Sequence, residues 1–296
     1  MLRKRLIASF FMITPVLILL WLDTYKTGGI PGIWSVPVVT LAGIVVAGEL
    51  MTMLRERTPG AIPWVTYLGV VLCHLAVIFP VWFAAGRVLD LRWMVFALTV
   101  TVMAAFANEL FRFKEGRPST THIALSLFVV LYAGWLLSFV SAVRLQTSWN
   151  AKGVVALFSL MFIIKMSDAG AYFAGKNLGE NKLAPVLSPG KTIEGLIGGI
   201  IAAIFAAWIV FAFCYPTVPP AMMAVSPPSW LAVIGYAISI CLVGVVGDLA
   251  ESLIKRDMGV KDSSGWLPGL GGIMDTADSV LLAAPVAYLW WTSGLL

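Results

Sequence analysis

Residues 247–279, GDLAESLIKRDMGVKDSSGWLPGLGGIMDTADS, hold the densest set of groups able to do chemistry. At helical spacing Asp248, Glu251, Ser252 and Lys255 share one face. Asp275 and Asp278 stand i,i+3 at the start of the next apolar run and share another. Carboxylates from two neighbouring helices that converge near an interface form a hard-oxygen ligand set. Such a set suits Mg²⁺, which takes one or two protein carboxylates and shares itself with substrate phosphates. Between the acidic ends lie Lys255, Arg256 and Lys261, with Asp262. Cations beside a carboxylate-bound metal are what a polyphosphate requires. Gly269, Gly271 and Gly272 could turn backbone N–H groups toward an anion. A purely structural account covers single members: an acid at a helix start favours the dipole, and a basic residue at a boundary sets topology. It does not cover their density together with the glycines.

The second such stretch is KMSDAGAYFAGKNLGENKLAPVLSPGKTIEG, residues 165–195. Lys165 and Asp168 stand i,i+3, as an ion pair that lowers the cost of both in a membrane or as the lining of a polar cavity. Gly170, Gly175 and Gly179 suit close helix packing. Lys176, Lys182 and Lys191 add positive charge beside SPGKT. GKT resembles the end of a phosphate-binding loop, but Pro185 occupies the position of the required first glycine, and no strand is expected before it. The spacing predicts instead a helix start, with Ser188 as N-cap and Pro189 in the first turn. Lys191 and Thr192 would then sit where a phosphate is welcome.

These residues are carried by a very apolar chain. Of 296 residues 60% are hydrophobic and only 12% charged, against about 25% charged in a soluble domain. Mean hydropathy is +0.93. The chain is therefore an all-α polytopic membrane protein. Its net charge of +5 is scattered between apolar runs, which is a topology signal and not a nucleic-acid footprint. The start, MLRKRLIASFFMITPVLILLW, has a basic head but no small-residue cleavage site, so it reads as a retained helix. Since a span needs about 20 residues, nine are expected, at roughly 6–22, 36–53, 63–84, 93–111, 121–143, 153–174, 194–214, 230–250 and 279–294. With the N-terminus cytoplasmic and the C-terminus on the opposite side, fourteen basic residues fall inside. Only Lys26, Arg87, Arg92, Arg144 and Lys152 fall outside. Nine of the fifteen acids follow residue 165. Residues 1–150 thus read as scaffold and 151–296 as the catalytic region.

Other residues say less. His74 and His122 lack a second histidine at ligand spacing, and Cys73, Cys214 and Cys241 read as small apolar filler. Glu49 and Glu109 read as interfacial. Tryptophans near span ends, among them Trp21, Trp34, Trp64, Trp93, Trp149, Trp230, Trp290 and Trp291, suit an aromatic belt. The small-residue face of GLIGGIIAAIFAA, residues 195–207, would permit a homodimer.

In its two polar stretches the chain resembles the phosphatidate cytidylyltransferase (CDP-diacylglycerol synthase) family. The resemblance runs through Ser252, Lys255, Arg256, Lys261, Asp262, Pro268, Gly271, Gly272, Asp275 and Asp278, and through SDAGAYFAGK and LSPGKTIEG upstream. Leu270 and Thr276 stand where the family has histidine and arginine, and Ala277 is also unusual. The resemblance implies cytidylyl transfer from CTP to phosphatidic acid, giving CDP-diacylglycerol and pyrophosphate. The site would face the cytoplasm, in the plasma (inner) membrane of a bacterium. On that basis Asp248 and Asp275 are expected to hold Mg²⁺, with Asp278 supporting them or taking a second cation. Lys255, Arg256 and Lys261 would hold phosphates and Asp262 would orient them. Ser188, Lys191, Thr192, Lys176, Ser252, Gly271 and Gly272 would bind substrate, with Asp168 and Glu194 behind them. The competing readings are a CTP-dependent enzyme for an isoprenoid lipid or polyprenol, a transporter lined by Lys165 and Asp168, and a silent scaffold.

Overall fold

An apolar segment in a bilayer must satisfy its backbone internally, and a single chain does so most simply as a helix. The computed structural model, which describes residues 15, 18–26, 28–57, 60–83, 89–146, 150–215, 228–265 and 271–296, follows that rule. Its helices are α1 (Ser35–Arg57), α2 (Pro63–Trp82), α3 (Arg92–Arg112), α4 (Ser119–Val129), α5 (Leu137–Leu145), α6 (Asn150–Leu178), α7 (Ile193–Ile209), α8 (Trp230–Met258) and α9 (Met274–Thr292). A π-helical turn, Val130–Leu136, joins α4 to α5 without a break, and a second, Val210–Cys214, extends α7. Seven helices among the described residues are long and apolar enough to cross a membrane, with α4, the π turn and α5 counting as one. α9, the ninth expected span, has 19 residues and is not one of the seven. Most of the expected first span, residues 6–14, 16 and 17, lies outside the described residues, as do Arg87, Trp149, Pro268, Gly269 and Leu270.

Length decides where the polar ends fall. At ~1.5 Å per residue, the 29 residues of α8 extend about 43 Å, beyond a hydrocarbon core of roughly 30 Å. Asp248, eighteen residues along, therefore reaches the far boundary, and the turns after it project past it. Gly259 closes α8 in the left-handed region at φ +75°, with its N–H on Arg256 O and the Val260 N–H on Lys255 O. A side chain there would be strained, so the helix stops where glycine stands.

Polar cross-links tie the helix ends into two levels. At one end Asp23 accepts from Ser35 and, at 3.2 Å, from Arg144, a pair with no exposure. Lys152 reaches Leu296 O and the ring of Trp291. Trp291 is therefore no belt residue: it is buried, stacked on Phe211 and directed at the Tyr236 hydroxyl. At the other end α1 and α8 meet the start of α9, Lys191 ahead of α7 meets α8, and the end of α6 packs on the start of α7. The apolar core between these levels includes Leu50, Val77, Ile163, Ile164, Ile240 and Leu281.

Close packing of α6 on α7 uses the small residues of both. A Cβ on Gly170 would lie 2.6 Å from Gly198 O, and one on Gly199 would lie 3.1 Å from Ser167 Oγ. The small-residue face expected to serve a dimer is thus covered from within the chain, leaving Ile197, Ile201 and Phe205 exposed.

The segment between α6 and α7 corrects an expectation. Ser188 does not cap a helix. Residues Ser188–Thr192 form β2, which pairs antiparallel with β1 (Lys182–Ala184), Lys182 opposite Thr192 and Ala184 opposite Ser188. The cap is Thr192, whose Oγ1 accepts the Gly195 N–H at 3.0 Å. Glu194 holds the hairpin down by accepting from Glu180 N, Asn181 N and, at 2.6 Å, Asn181 Nδ2. Those donors favour an extended return over an earlier helix start.

Candidate active site

Asp248, Glu251 and Asp278 bring one carboxylate oxygen each to within 4.8 Å of one another. Spacing explains the first two, one turn apart on α8, and the crossing of α9 supplies the third. That crossing is close because Gly247 has no side chain: a Cβ there would lie 2.5 Å from Asp278 O. Each acid has some support. Asp248 Oδ2 meets Lys191 Nζ at 2.8 Å, Glu251 Oε2 meets Lys255 Nζ at 2.8 Å, and Asp278 Oδ1 accepts the Ser279 N–H at 2.5 Å. Glu251 Oε1 is buried and has no hydrogen-bond partner.

Lys191 reaches the group from β2, so the hairpin carries a cation over the end of α8. Its Nζ also lies 3.5 Å from Val245 O. Asp168, half-exposed on α6, pairs with Lys165 at 3.5 Å and is near enough to feel the charges of Asp248 and Asp278. Ser167, beside it, donates to Cys241 Sγ at 3.0 Å and ties α6 to α8 at this level. Cys241 is thus an acceptor as well as filler.

Asp275 is elsewhere. Its Oδ1 takes Lys255 Nζ at 2.6 Å, and its Oδ2 accepts from Gly272 N (2.7 Å), Ser263 Oγ (2.7 Å) and Ser263 N (2.9 Å). The expected pair, Asp248 with Asp275, is not the set brought together, because Asp275 is saturated by the loop that precedes its own helix. Lys255 bridges Glu251 and Asp275 and so locks α8 to α9; both its acids are largely buried. Gly271 and Gly272 also take a different role from the one expected. Gly271 turns at φ +84°, where a Cβ would collide with the Asp275 carboxylate, and the Gly272 N–H is held by that carboxylate.

Glu49 of α1 is the residue that composition hides. It is buried, not interfacial, and accepts from Ser264 Oγ (2.7 Å) and Ile273 N (3.1 Å) on Oε1 and from Met274 N (2.9 Å) on Oε2, while the Ser263 Oγ lies 3.1 Å from Oε2 and shares its one proton between Glu49 and Asp275. α9 has no cap from its own N-cap side chain. Glu49 supplies it from another helix, with a charge placed where the dipole favours it. An acid inside an apolar helix was the only signal in the sequence.

The remaining expected residues make no hydrogen bond or ion pair to this centre among the described residues. Arg256, Lys261 and Asp262 are exposed and make no ion pair among the described residues; Ser252 is half-buried. Lys176 is exposed and lies 5.9 Å from the Tyr172 ring centroid, directed at the ring and not at the carboxylates. Ser188 is half-buried in β2, and the Thr192 hydroxyl is occupied by its capping bond. Glu109 belongs to a separate cluster, held by Arg117 at 3.0 Å and by Asn108 at 3.1 Å, with His122 at 3.4 Å.

A hard divalent cation fits the first group. Three carboxylates converge and one buried oxygen is unpartnered, which is the donor chemistry such an ion takes. Among the described residues Asp168, Asp248, Glu251, Asp275 and Asp278 make ion pairs with Lys165, Lys191 and Lys255, five carboxylates to three ammonium groups. Arg256 and Lys261, exposed and without an ion pair among the described residues, are open to an anion from water.

Known proteins are similar to this chain in sequence. The model of the Cytidylyltransferase family matches residues 3–293. The phosphatidate cytidylyltransferase of Haemophilus influenzae is 40% identical over 133 residues, 45% of this chain and 44% of that protein. That of Bacillus subtilis is 33% identical over 191 residues, 64% and 62%. That of Pseudomonas aeruginosa is 35% identical over 232 residues, 78% and 76%. The matched stretch thus spans less than half the length of the first relative, about three fifths of the second and three quarters of the third.

Proposed function

The chain belongs to the cytidylyltransferase family, and on that premise we propose that it transfers a cytidylyl group from CTP to phosphatidic acid in the membrane. An oxygen of the lipid phosphate forms a bond to the α-phosphorus of CTP. The bond from that phosphorus to the bridging oxygen breaks, and pyrophosphate leaves with the electron pair. The lipid phosphate is already ionised near neutral pH, so no strong general base is needed. One observation carries the reading: the convergence of Asp248, Glu251 and Asp278 around a buried, unpartnered Glu251 oxygen, with lysines on either side.

Those three carboxylates would hold Mg²⁺, which when bound neutralises charge on the triphosphate. Asp275 acts as a strut for the loop, in place of the ligand role expected from spacing. Lys191 supplies a movable cation: releasing Asp248 to a metal frees its ammonium for a phosphate. Arg256 and Lys261 steer the nucleotide from water and stabilise the departing pyrophosphate.

The site faces the cytoplasm of a bacterial plasma membrane in this reading, with nine spans, the N-terminus inside and the C-terminus outside. The basic residues at the ends that carry the site support that orientation, and the bacterial relatives support the compartment. A radiolabelled CTP assay on purified protein tests the function, with phosphatidate and Mg²⁺ omitted in turn. Label should enter lipid only when both are present. Transfer to a polyprenol or an isoprenoid lipid phosphate, and not to phosphatidate, would overturn the acceptor.

A further inference from the structure

Lys165 is the charge of the second polar stretch that the reaction leaves without a task. It stands with Asp168 inside the span Lys152–Leu178, yet their side chains are 48% and 52% exposed. Lys165 comes thirteen residues after Lys152 and eleven before Lys176, so it lies about 20 Å and 16 Å along α6 from those two polar ends. Its ammonium meets Asp168 Oδ2 at 3.5 Å. A pair so loose and so exposed contributes little to folding, and an ionisable side chain at that depth calls for a function.

The face of α6 that carries Lys165 changes character along its length. Helical spacing puts Lys165, Asp168, Tyr172 and Lys176 on one face, and all four are exposed. Lys176 Nζ lies 5.9 Å from the Tyr172 ring centroid, so the row is polar from Lys165 to the end of the helix. In the other direction the same face continues as Phe158, Met161 and Phe162, half-buried and apolar, with the two rings stacked at 5.4 Å. Polar on one side of Lys165 and apolar on the other, this face has the order of a membrane lipid, headgroup and then chains.

Beside it a cavity opens between α6 and α8, lined by Ile164, Ser167 and Asp168 from the first and by Cys241, Gly244 and Val245 from the second. Ser167 ties the two walls together through Cys241 at 3.0 Å. Val245 marks the end toward the carboxylate group: its carbonyl oxygen lies 3.5 Å from Lys191 Nζ, and that ammonium lies 2.8 Å from Asp248. Asp168 belongs both to the cavity and to the exposed row, so Lys165 stands at the mouth that faces the bilayer.

We propose that Lys165 is a substrate-binding residue for the lipid acceptor, whose ammonium receives a phosphate monoester headgroup from within the bilayer at the mouth of the cavity between α6 and α8. The acyl chains then lie along Phe158, Met161 and Phe162. The inference rests on the reading of Asp248, Glu251 and Asp278 as the reacting centre, and it names the cation and the route by which the acceptor reaches that centre. A phosphate monoester carries nearly two charges and three acceptor oxygens near neutral pH, so it outcompetes a single carboxylate held at 3.5 Å.

The test uses the full chain in detergent, with dioleoyl phosphatidate as the probe and phosphatidylcholine of the same chains as the control, read by native mass spectrometry without CTP. Lys165→Met should weaken phosphatidate binding by about 10- to 100-fold, and Lys165→Arg should keep it. The KM for phosphatidate in mixed micelles should rise in Lys165→Met by the same factor, with the KM for CTP unchanged, because the nucleotide arrives from water. Phosphatidate affinity within twofold of wild type would overturn the assignment. So would a raised KM for CTP alone, which would give Lys165 to the nucleotide. A phosphatidate with a photoreactive acyl chain should label wild-type α6 around Phe158–Phe162, and labelling confined to other helices overturns the route even if Lys165→Met does not fold. If binding depends on Lys165 but no label passes from CTP to lipid, the lipid site stands and the proposed reaction fails. If transfer to phosphatidate is intact in Lys165→Met at an unchanged KM, the reaction stands and the role of Lys165 is lost.

Discussion

Glu49→Gln tests whether a helix of the first half holds the catalytic loop in place. All four partners of Glu49 can donate, and two of them, the N–H groups of Ile273 and Met274, can do nothing else. Whichever way a glutamine amide turns, its NH₂ must face one of those N–H groups. Ser263 and Ser264 can reverse their hydroxyls; the backbone cannot. The change therefore orphans one largely buried N–H, at roughly 1–3 kcal/mol, and converts the surviving charge-assisted bonds to neutral ones, about 1 kcal/mol more. A total near 3 kcal/mol would correspond to about 100-fold if all of it were felt at the reacting centre. Part is absorbed, because Asp275 also holds Ser263 and Gly272. Turnover is therefore expected to fall between about 10- and 100-fold. The protein should stay folded, and amide exchange at Ile273 and Met274 should quicken. Asp90→Asn, which loses an exposed pair with Arg92 away from the site, is the control and should leave turnover intact. Turnover within twofold of wild type, with unchanged exchange at Ile273 and Met274, would refute the claim that Glu49 holds the loop.

Gly272→Ala should be more damaging than its size suggests, since the added Cβ would lie 2.5 Å from both Glu49 carboxylate oxygens and closer still to Ser263 Oγ. Turnover should be largely lost while Gly265→Ala, in open space, keeps it; equal activity in the two variants would show that the loop has room to shift. Lys191→Ala removes a partly exposed ion pair worth little to folding, so its thermal midpoint should hardly move while the KM for CTP rises about tenfold. An unchanged KM at saturating lipid would remove Lys191 from nucleotide binding.

What the sequence made legible follows from the range of the interaction involved. Hydropathy acts locally, and the spans expected near 36–53, 63–84, 93–111 and 230–250 lie within α1, α2, α3 and α8 or miss their ends by a residue or two. Asp248 and Glu251 could be placed on one face because α8 is one unbroken helix. Asp275 and Asp278 were harder to separate. Spacing of i,i+3 puts both on one face of α9, but in the first turn a carboxylate can also fold back onto the N–H groups before the helix. The loop that offers Ser263 and Gly272 draws Asp275 that way, and no local pattern announces its path. Glu49 lies 225 residues from Met274, a separation at which one chain without an alignment carries no pairing signal. Ser188 failed for a nearer reason. Ser-Pro before an apolar run is a sound helix start, but the carboxylate of Glu194, four residues beyond Lys191's strand neighbour Gly190, captures Asn181 and turns the same residues into a hairpin.

The contribution of Glu49 changes how the two halves of the chain relate. A scaffold that only filled the membrane would present apolar side chains to the catalytic helices. Here α1 caps α9 with a buried charge instead. Lys255 then couples that cap to the site. It joins Glu251, in the cation group, to Asp275, which holds the loop that Glu49 fixes. A displacement of that loop must pull Lys255 from Glu251 or leave Asp275 short of its partner, and both acids are largely buried. Breaking one partner from a buried pair costs more than the pair itself contributes. The loop and the cation group are therefore set together, and a change at Glu49 should reach the metal requirement without touching a ligand.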